Sequence, residues 1–137
     1  MGEVRIRVKL TNAVDEALAR RGKLPTNEVR SYEADALIDT GAISSVIPPF
    51  VVQQLGLMAA RRRSVEYADG RTEAVDVTEP VTVDINGRST SEEAFVLGDE
   101  VLIGQTVLEK TDLLVDCANR RVIPNPAHPD EPVSKIK

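Results

Sequence analysis

Ala36-Leu37-Ile38-Asp39-Thr40-Gly41-Ala42 is the stretch on which the reading of this chain turns. An apolar run leads straight into an ionisable residue, and a carboxylate at the end of a buried strand is costly unless its charge is shared or hydrogen-bonded. Thr40 can offer a hydroxyl to neighbouring backbone. Gly41 allows a tight loop and lets another backbone or a substrate come close. As a bare tripeptide, Asp39-Thr40-Gly41 is not specific, because at average residue usage it arises by chance in roughly a few per cent of chains this long. Asp and Gly also follow strands simply because they make turns. What surrounds the tripeptide therefore decides its meaning.

Outward from this run, period-2 alternation and turn residues predict strands. Upstream, Val4–Leu10 alternates apolar and basic residues, and Asn12 is placed to cap a helix over Ala13–Arg20. That helix carries Val14, Ala17 and Leu18 on one side and stops at Gly22, before a loop over Lys23–Asn27. Ser31–Asp39 is a strand, Ile43–Ile47 a short β-branched one. Pro48 and Pro49 suit the first turn of a helix whose apolar stripe is Val51, Val52 and Leu55 and whose end is Gly56. Ser64–Val77 reads as a hairpin turning at Asp69-Gly70, and Val81–Ile85 runs into a second turn at Asn86-Gly87. Short strands over Ala94–Leu97 and Val101–Ile103 flank Gly98-Asp99. A brief helix over Gln105–Lys110, Leu113–Asp116 and a strand over Arg121–Ile123 complete the pattern.

The sum is an all-β domain with two or three short helices over residues 1–124. A Pro-rich, irregular tail follows over 125–137, where Pro126, Pro129 and Pro132 prevent a continuous ladder. A weak internal echo, an apolar run followed by a glycine turn and a short helix, links Leu37–Leu55 with Leu102–Leu108.

Composition excludes several classes of function. The 137 residues suit one domain, and with 3% aromatic residues and no Trp the core must come from Val, Ile, Leu and Ala. A net charge of −5 and a pI near 4.9 argue against a nucleic-acid binder. Arg61-Arg62-Arg63, the one basic cluster, reads as a solvated loop after a helix, without the aromatic platform that single-stranded nucleic acid needs. One cysteine, Cys117, and one histidine, His128, leave no pair for a disulfide and no Cys/His zinc site, so no metal or other cofactor is expected. Neither a signal pattern nor a membrane-length apolar run stands in the sequence, and a reducing cytoplasm is the default location.

In its setting the central run resembles the active-site loop of the retropepsin-like aspartic proteases, where apolar residues precede Asp-Thr-Gly and Ala follows. The second mark of that family, apolar residues ending in Gly, stands downstream as Val101-Leu102-Ile103-Gly104. A hairpin belongs between the two marks, and Tyr67-Ala68-Asp69-Gly70-Arg71 sits there. The Pro-initiated helix ending in Leu55-Gly56-Leu57 is similar to small bacterial proteins of the same type.

The resemblance implies a closed β-barrel of the acid-protease fold, with one lobe per chain. Asp39, Thr40 and Gly41 are the expected catalytic residues. Ala42, Tyr67, Ala68, Asp69 and Gly70 are expected at the substrate, and Leu102, Ile103 and Gly104 should support the loop from beside it. Only one Asp-Thr-Gly is present, so a homodimer must supply the second carboxylate. Two carboxyls about 3 Å apart cannot both ionise, and the shared proton lets one act as base towards water while the other polarises the scissile carbonyl. Thr40 would brace the opposing loop, the Gly41 carbonyl would meet the substrate backbone, and the Asp69-Gly70 hairpin would close as a flap over a peptide or protein substrate. Ala42 stands where pepsin relatives often carry Ser or Thr, which implies a dyad less acidic than theirs. Two departures favour an alternative, a catalytically inactive dimeric peptide-binding or scaffold domain: the hairpin is charged rather than glycine-rich, and Gln105 and Thr106 stand where retroviral proteases have Arg.

Overall fold

The computed structural model describes residues 3–137. Strand β1 (Arg5–Asn12) buries Val8 and Leu10 and turns Arg7 and Lys9 to solvent, as its alternation demands. It pairs antiparallel with β2 (Ser31–Asp39), from Arg5 opposite Leu37 to Thr11 opposite Ser31. Between them Asn12 caps α1 (Ala13–Arg20): its Oδ1 accepts from the Asp15 amide at 3.0 Å, and its Nδ2 donates to the Leu55 carbonyl at 2.8 Å.

The face that α1 buries differs from the expected one. Val14 and Leu18 are 37% and 36% exposed, whereas Asp15 is buried. The Asp15 carboxylate accepts from the Arg30 amide, Nε and Nη2 at 3.0, 2.8 and 2.9 Å, and the Arg30 side chain holds its pKa below the usual carboxylate value. A guanidinium fork plus a backbone amide satisfies a buried carboxylate, so the helix is oriented by that partner and not by its apolar spacing.

A short strand β3 (Val46–Ile47) precedes α2 (Pro49–Leu55), which buries Val51 and Leu55 and stops at Gly56 with φ +64°. Strands β4 (Ala59–Glu66) and β5 (Thr72–Thr78) form the first hairpin. The strand starts five residues earlier than Ser64, so Arg61, Arg62 and Arg63 lie on it and not in a loop. The expectation of a loop ignored cross-strand partners, which Arg62 finds in Asp76 at 3.5 Å. Strands β6 (Val81–Ile85) and β7 (Arg88–Glu92) turn at Asn86 and Gly87, both at positive φ. Then come β8 (Phe95–Val96), β9 (Leu102–Gly104), α3 (Gln105–Thr111), β10 (Leu113–Asp116) and β11 (Arg121–Pro124).

Nine strands join one mixed sheet in the order β4-β5-β8-β3-β9-β2-β1-β6-β7, while β10 and β11 form a separate pair. The sheet curls into a half-barrel with β4 and β7 as its edges. Inside it lies one aliphatic cluster that includes Leu10, Ile47, Leu55, Ile85, Ile103 and Val107. The fold is thus mostly β with three short helices, as the alternation predicts.

No helix or strand follows Pro124, yet the next residues are held against the C-terminal end of α3. The buried Arg88 donates to the carbonyls of Thr111, Asp112 and His128 at 3.3, 2.9 and 2.7 Å. The Asp112 carboxylate accepts from Asn125 Nδ2 and from the Val133 amide, both at 3.0 Å, and lies 2.6 Å from His128 Nδ1. These bonds, that of Asn125 foremost, lower the Asp112 pKa to about 2. No helix among the described residues is long and apolar enough to cross a membrane.

Candidate active site

The loop after β2 is built around one glycine. Strands β2 and β9 pair in parallel, with Leu37 opposite Leu102, Ile38 opposite Ile103 and Asp39 opposite Gly104. The chain then turns over the end of β9 and returns as β3 on its other side, Val46 opposite Leu102. Loop backbone therefore crosses directly above Gly104. A Cβ there would lie 2.7 Å from the Ile43 oxygen and 2.8 and 2.9 Å from the Ser44 carbonyl atoms, so nothing larger than hydrogen fits.

The start of α3 fastens the same loop. The Gln105 amide donates to the Ala42 carbonyl at 2.7 Å, and the Thr106 amide to that of Ile43 at 3.2 Å. Amides at a helix start have no partner inside the helix, and here the loop supplies their acceptors. The buried Ser45 hydroxyl accepts from the Gly104 amide at 3.1 Å. Asp39 is half-buried above this base; its Oδ1 accepts from the Gly41 amide at 3.0 Å, and its carbonyl accepts from the Ala42 amide at 3.1 Å. A Cβ on Gly41 would come within 3.3 Å of that Oδ1. Thr40 is exposed, and among the described residues no group of the same chain bonds to its hydroxyl.

Beside this loop runs an open groove of about 710 Å³. Its floor is Gly41, Ala42, Ile43, Ser44 and Val46; one wall is Arg63, Val65, Glu66 and Tyr67 of the first hairpin, and Phe95 and Leu97 close the far side. The hairpin tip is a tight turn in which the Gly70 amide donates to the Tyr67 carbonyl at 2.9 Å and the Tyr67 amide to the Arg71 carbonyl at 2.8 Å. Only Gly70 takes a positive φ, +89°, where the sequence suggested that conformation for the Asp69-Gly70 pair. Asp69 instead accepts from the Arg71 amide and Nε at 3.0 and 2.7 Å, which holds its carboxyl below the usual range. Tyr67 donates its hydroxyl to Glu73 at 2.5 Å, a bond that raises its pKa, and Arg71 stacks 4.8 Å above its ring.

The residues singled out in the sequence thus fall into separate places. Gly41, Ala42 and Tyr67 line the groove, with Asp39 and Thr40 on the same loop. Ala68, Asp69 and Gly70 form the exposed tip beyond it, while Ile103 and Gly104 are buried and Leu102 half-buried beneath the loop. Sequence reasoning missed Ser45, whose partner is 59 residues away. It also missed Ile43, 77% exposed at the groove, and Arg63 with Val65, which period-2 alternation on β4 would have put on one face. Arg88 was missed as well; it braces the C-terminal end of α3 in a chain that lacks Arg after Gly104.

Comparison with known proteins agrees with this geometry. The family model described as "gag-polyprotein putative aspartyl protease" matches residues 26–110, from the turn before β2 to the last residues of α3. No curated protein matches the chain in sequence. Among solved structures, the chain is similar to the retroviral protease-like domain of Ddi1 from Leishmania major, with a TM-score of 0.56 and 13% identity over 92% of this chain and 90% of that one. At such identity the likeness speaks for the fold alone. The matched region spans more than half of the chain and holds both the Asp39 loop and the strand that underlies it, and the chain belongs to the gag-type, retropepsin-like family of aspartyl proteases.

Proposed function

We propose that the protein is an aspartic endopeptidase that works as a homodimer, with Asp39 of each copy forming one catalytic dyad. The observation that carries this reading is the setting of Asp39: a half-buried carboxylate on a loop pinned from below by Gly104, Ser45 and the first amides of α3, whose Gly41 and Ala42 line a groove walled by a hairpin. A rigid base is what a dyad needs, since two carboxyls must be held about 3 Å apart to share a proton. One then accepts a proton from water as it attacks the scissile carbonyl, while the other donates to the carbonyl oxygen. The free Thr40 hydroxyl is available to the partner's loop. An extended peptide fits between the Gly41-Ala42 floor and the Tyr67 wall, with Ala68, Asp69 and Gly70 as the tip of the flap. The catalytic unit runs through β11, residues 1–124, and residues 125–137 are an appended tail. The acidic surface charge and the single cysteine suit a cytoplasmic enzyme that binds neither nucleic acid nor membrane.

The test is cleavage of casein or a peptide library between pH 4 and 7.5. Wild type should cleave, with inhibition by pepstatin, and Asp39→Asn should be inert. Wild type behaving as Asp39→Asn does would overturn the reading. It would leave the second one, a peptide-binding dimer without catalysis. One observation favours that alternative: the Asp69–Arg71 pair and the Arg71–Tyr67 stack stiffen the hairpin tip, where a flap must move.

A further inference from the structure

The three consecutive arginines of β4 are not equivalent. Residues directly opposite across an antiparallel pair share a face, and Arg61 and Arg63 stand opposite the buried Val77 and Val75. Both therefore turn towards the inside of the half-barrel, whereas Arg62 pairs with Asp76 on the outer face. Arg61 is neutralised by an ion pair with Glu93. Arg63 has no carboxylate partner among the described residues, and it forms part of the groove wall beside Val65 and Phe95. A smaller cleft next to the groove is lined by Ser44, Arg61, Glu93 and Arg63, and its charges sum to one net positive.

An unpaired guanidinium on the wall of a mostly apolar groove is a preformed receptor for a carboxylate. It offers a planar fork of donors, and the charge-assisted pair it forms is stronger than a neutral hydrogen bond. The other charged wall residue, Glu66, is three positions along the strand, about 10 Å at 3.3 Å per residue, so the two charges do not share a subsite. We infer that Arg63 makes the groove select peptides carrying an acidic side chain among apolar neighbours, with the carboxylate seated on Arg63. The inference rests on the reading of the groove as a peptide site. In a two-fold dimer each copy presents the same Arg63, so the preference recurs at symmetric positions on either side of the peptide centre.

A competing role for Arg63 is to blunt the edge strand β4 against aggregation, as edge charges do. The experiment separates the two. Apolar peptides with Glu, Gln or Lys placed at each position in turn are titrated against Asp39→Asn by fluorescence anisotropy, and the same peptides are given to active wild-type protein. The double variants Asp39→Asn/Arg63→Ala and Asp39→Asn/Arg63→Glu are titrated in parallel.

Glu should bind about tenfold more tightly than Gln at one position on each side, the effect of one charge-assisted pair. The preference should shrink as salt rises, vanish with Arg63→Ala and turn towards Lys with Arg63→Glu. Equal binding of Glu and Gln peptides overturns the inference, as does a Glu preference that survives Arg63→Ala. Loss of solubility in the Arg63 variants with selectivity unchanged would mark the edge-protecting role instead. Glu-selective binding without cleavage by wild type sustains the inference and sinks the protease reading; cleavage without charge preference does the reverse. No binding and no cleavage removes both.

Discussion

Gly104 lies directly under loop backbone, and each of the three atoms nearest to a Cβ placed there belongs to the main chain of Ile43 or Ser44. Such atoms cannot swing aside as the end of a flexible side chain can. Gly104→Ala should therefore lower stability by about 1–3 kcal/mol, the usual cost of overpacking, read as a lower urea midpoint. An unchanged midpoint would mean that the loop shifts freely. The need for this glycine was legible because an apolar run ending in Gly stands at the right distance from Asp39. Ser45 was not, since nothing local marks a hydroxyl whose donor lies on a distant strand. Ala42 carries a second residue-scale prediction. Its backbone is fixed by bonds to Asp39 and Gln105, so a hydroxyl added at Cβ stays on the loop that carries the Asp39 carboxylate proposed as catalytic. A donor to a carboxylate stabilises the charged form and lowers the pKa. In Ala42→Ser the acid limb of the pH–rate profile should move to lower pH; a profile that stays put would refute this use of Ala42.

Element boundaries were largely readable because caps and turns are local chemistry. Asn12 starts α1, Pro49 starts α2, Gly56 stops it and Asn86-Gly87 turns the second hairpin. The orientation of α1 was not readable. Apolar spacing put Val14 and Leu18 inside, but the decisive partner of Asp15 is Arg30, beyond the next loop. The β4 strand was also read too short, because three arginines in a row look like solvent until their cross-strand neighbours are known. Asn12 gives the prediction at this scale. It satisfies the Asp15 amide with its oxygen and the Leu55 carbonyl with its nitrogen, so it joins the start of α1 to the end of α2. Asn12→Ala should cost about 1–2 kcal/mol from the cap alone, and the orphaned Leu55 carbonyl adds to that. Asn12→Ser keeps a cap acceptor, loses the donor to Leu55 and buries no charge, so its urea midpoint should fall between those of wild type and Ala. Equal midpoints for the two variants would show that the helix–helix bond contributes everything.

At the scale of the molecule, the parallel contact of β2 with β9 and of β3 with β8 brings together segments far apart in sequence. No periodicity announces such pairings; only the resemblance of motifs did, and the echo between Leu37–Leu55 and Leu102–Leu108 is now two strand-to-helix units whose strands lie side by side. The proposed homodimer carries a concentration dependence: activity per chain should fall on dilution below the dimer dissociation constant, and constant activity per chain down to concentrations where sedimentation finds only monomer would contradict a shared dyad. The tail was legible as lacking regular structure but not as tied down, because Asp112 gathers its partners from residues 125–133 only after the chain has folded back. The folded carboxyl titrates near 2 against an ordinary 3.8, so its depressed pKa stabilises the folded state above about pH 3.8 and that contribution is lost as pH falls from there towards 2. Protonation takes away the charge that strengthens the bonds from the Val133 amide and from Asn125, while Arg88 keeps its own bonds to backbone carbonyls. Hydrogen exchange should accordingly show the Val133 amide opening across that acid window ahead of amides in β1 and β2. Asp112→Asn, which retains a side chain tolerant of the positive φ at this position, should open it already at pH 7. Protection of Val133 that is the same in the variant and in wild type at pH 7 would show that Arg88 alone holds the tail.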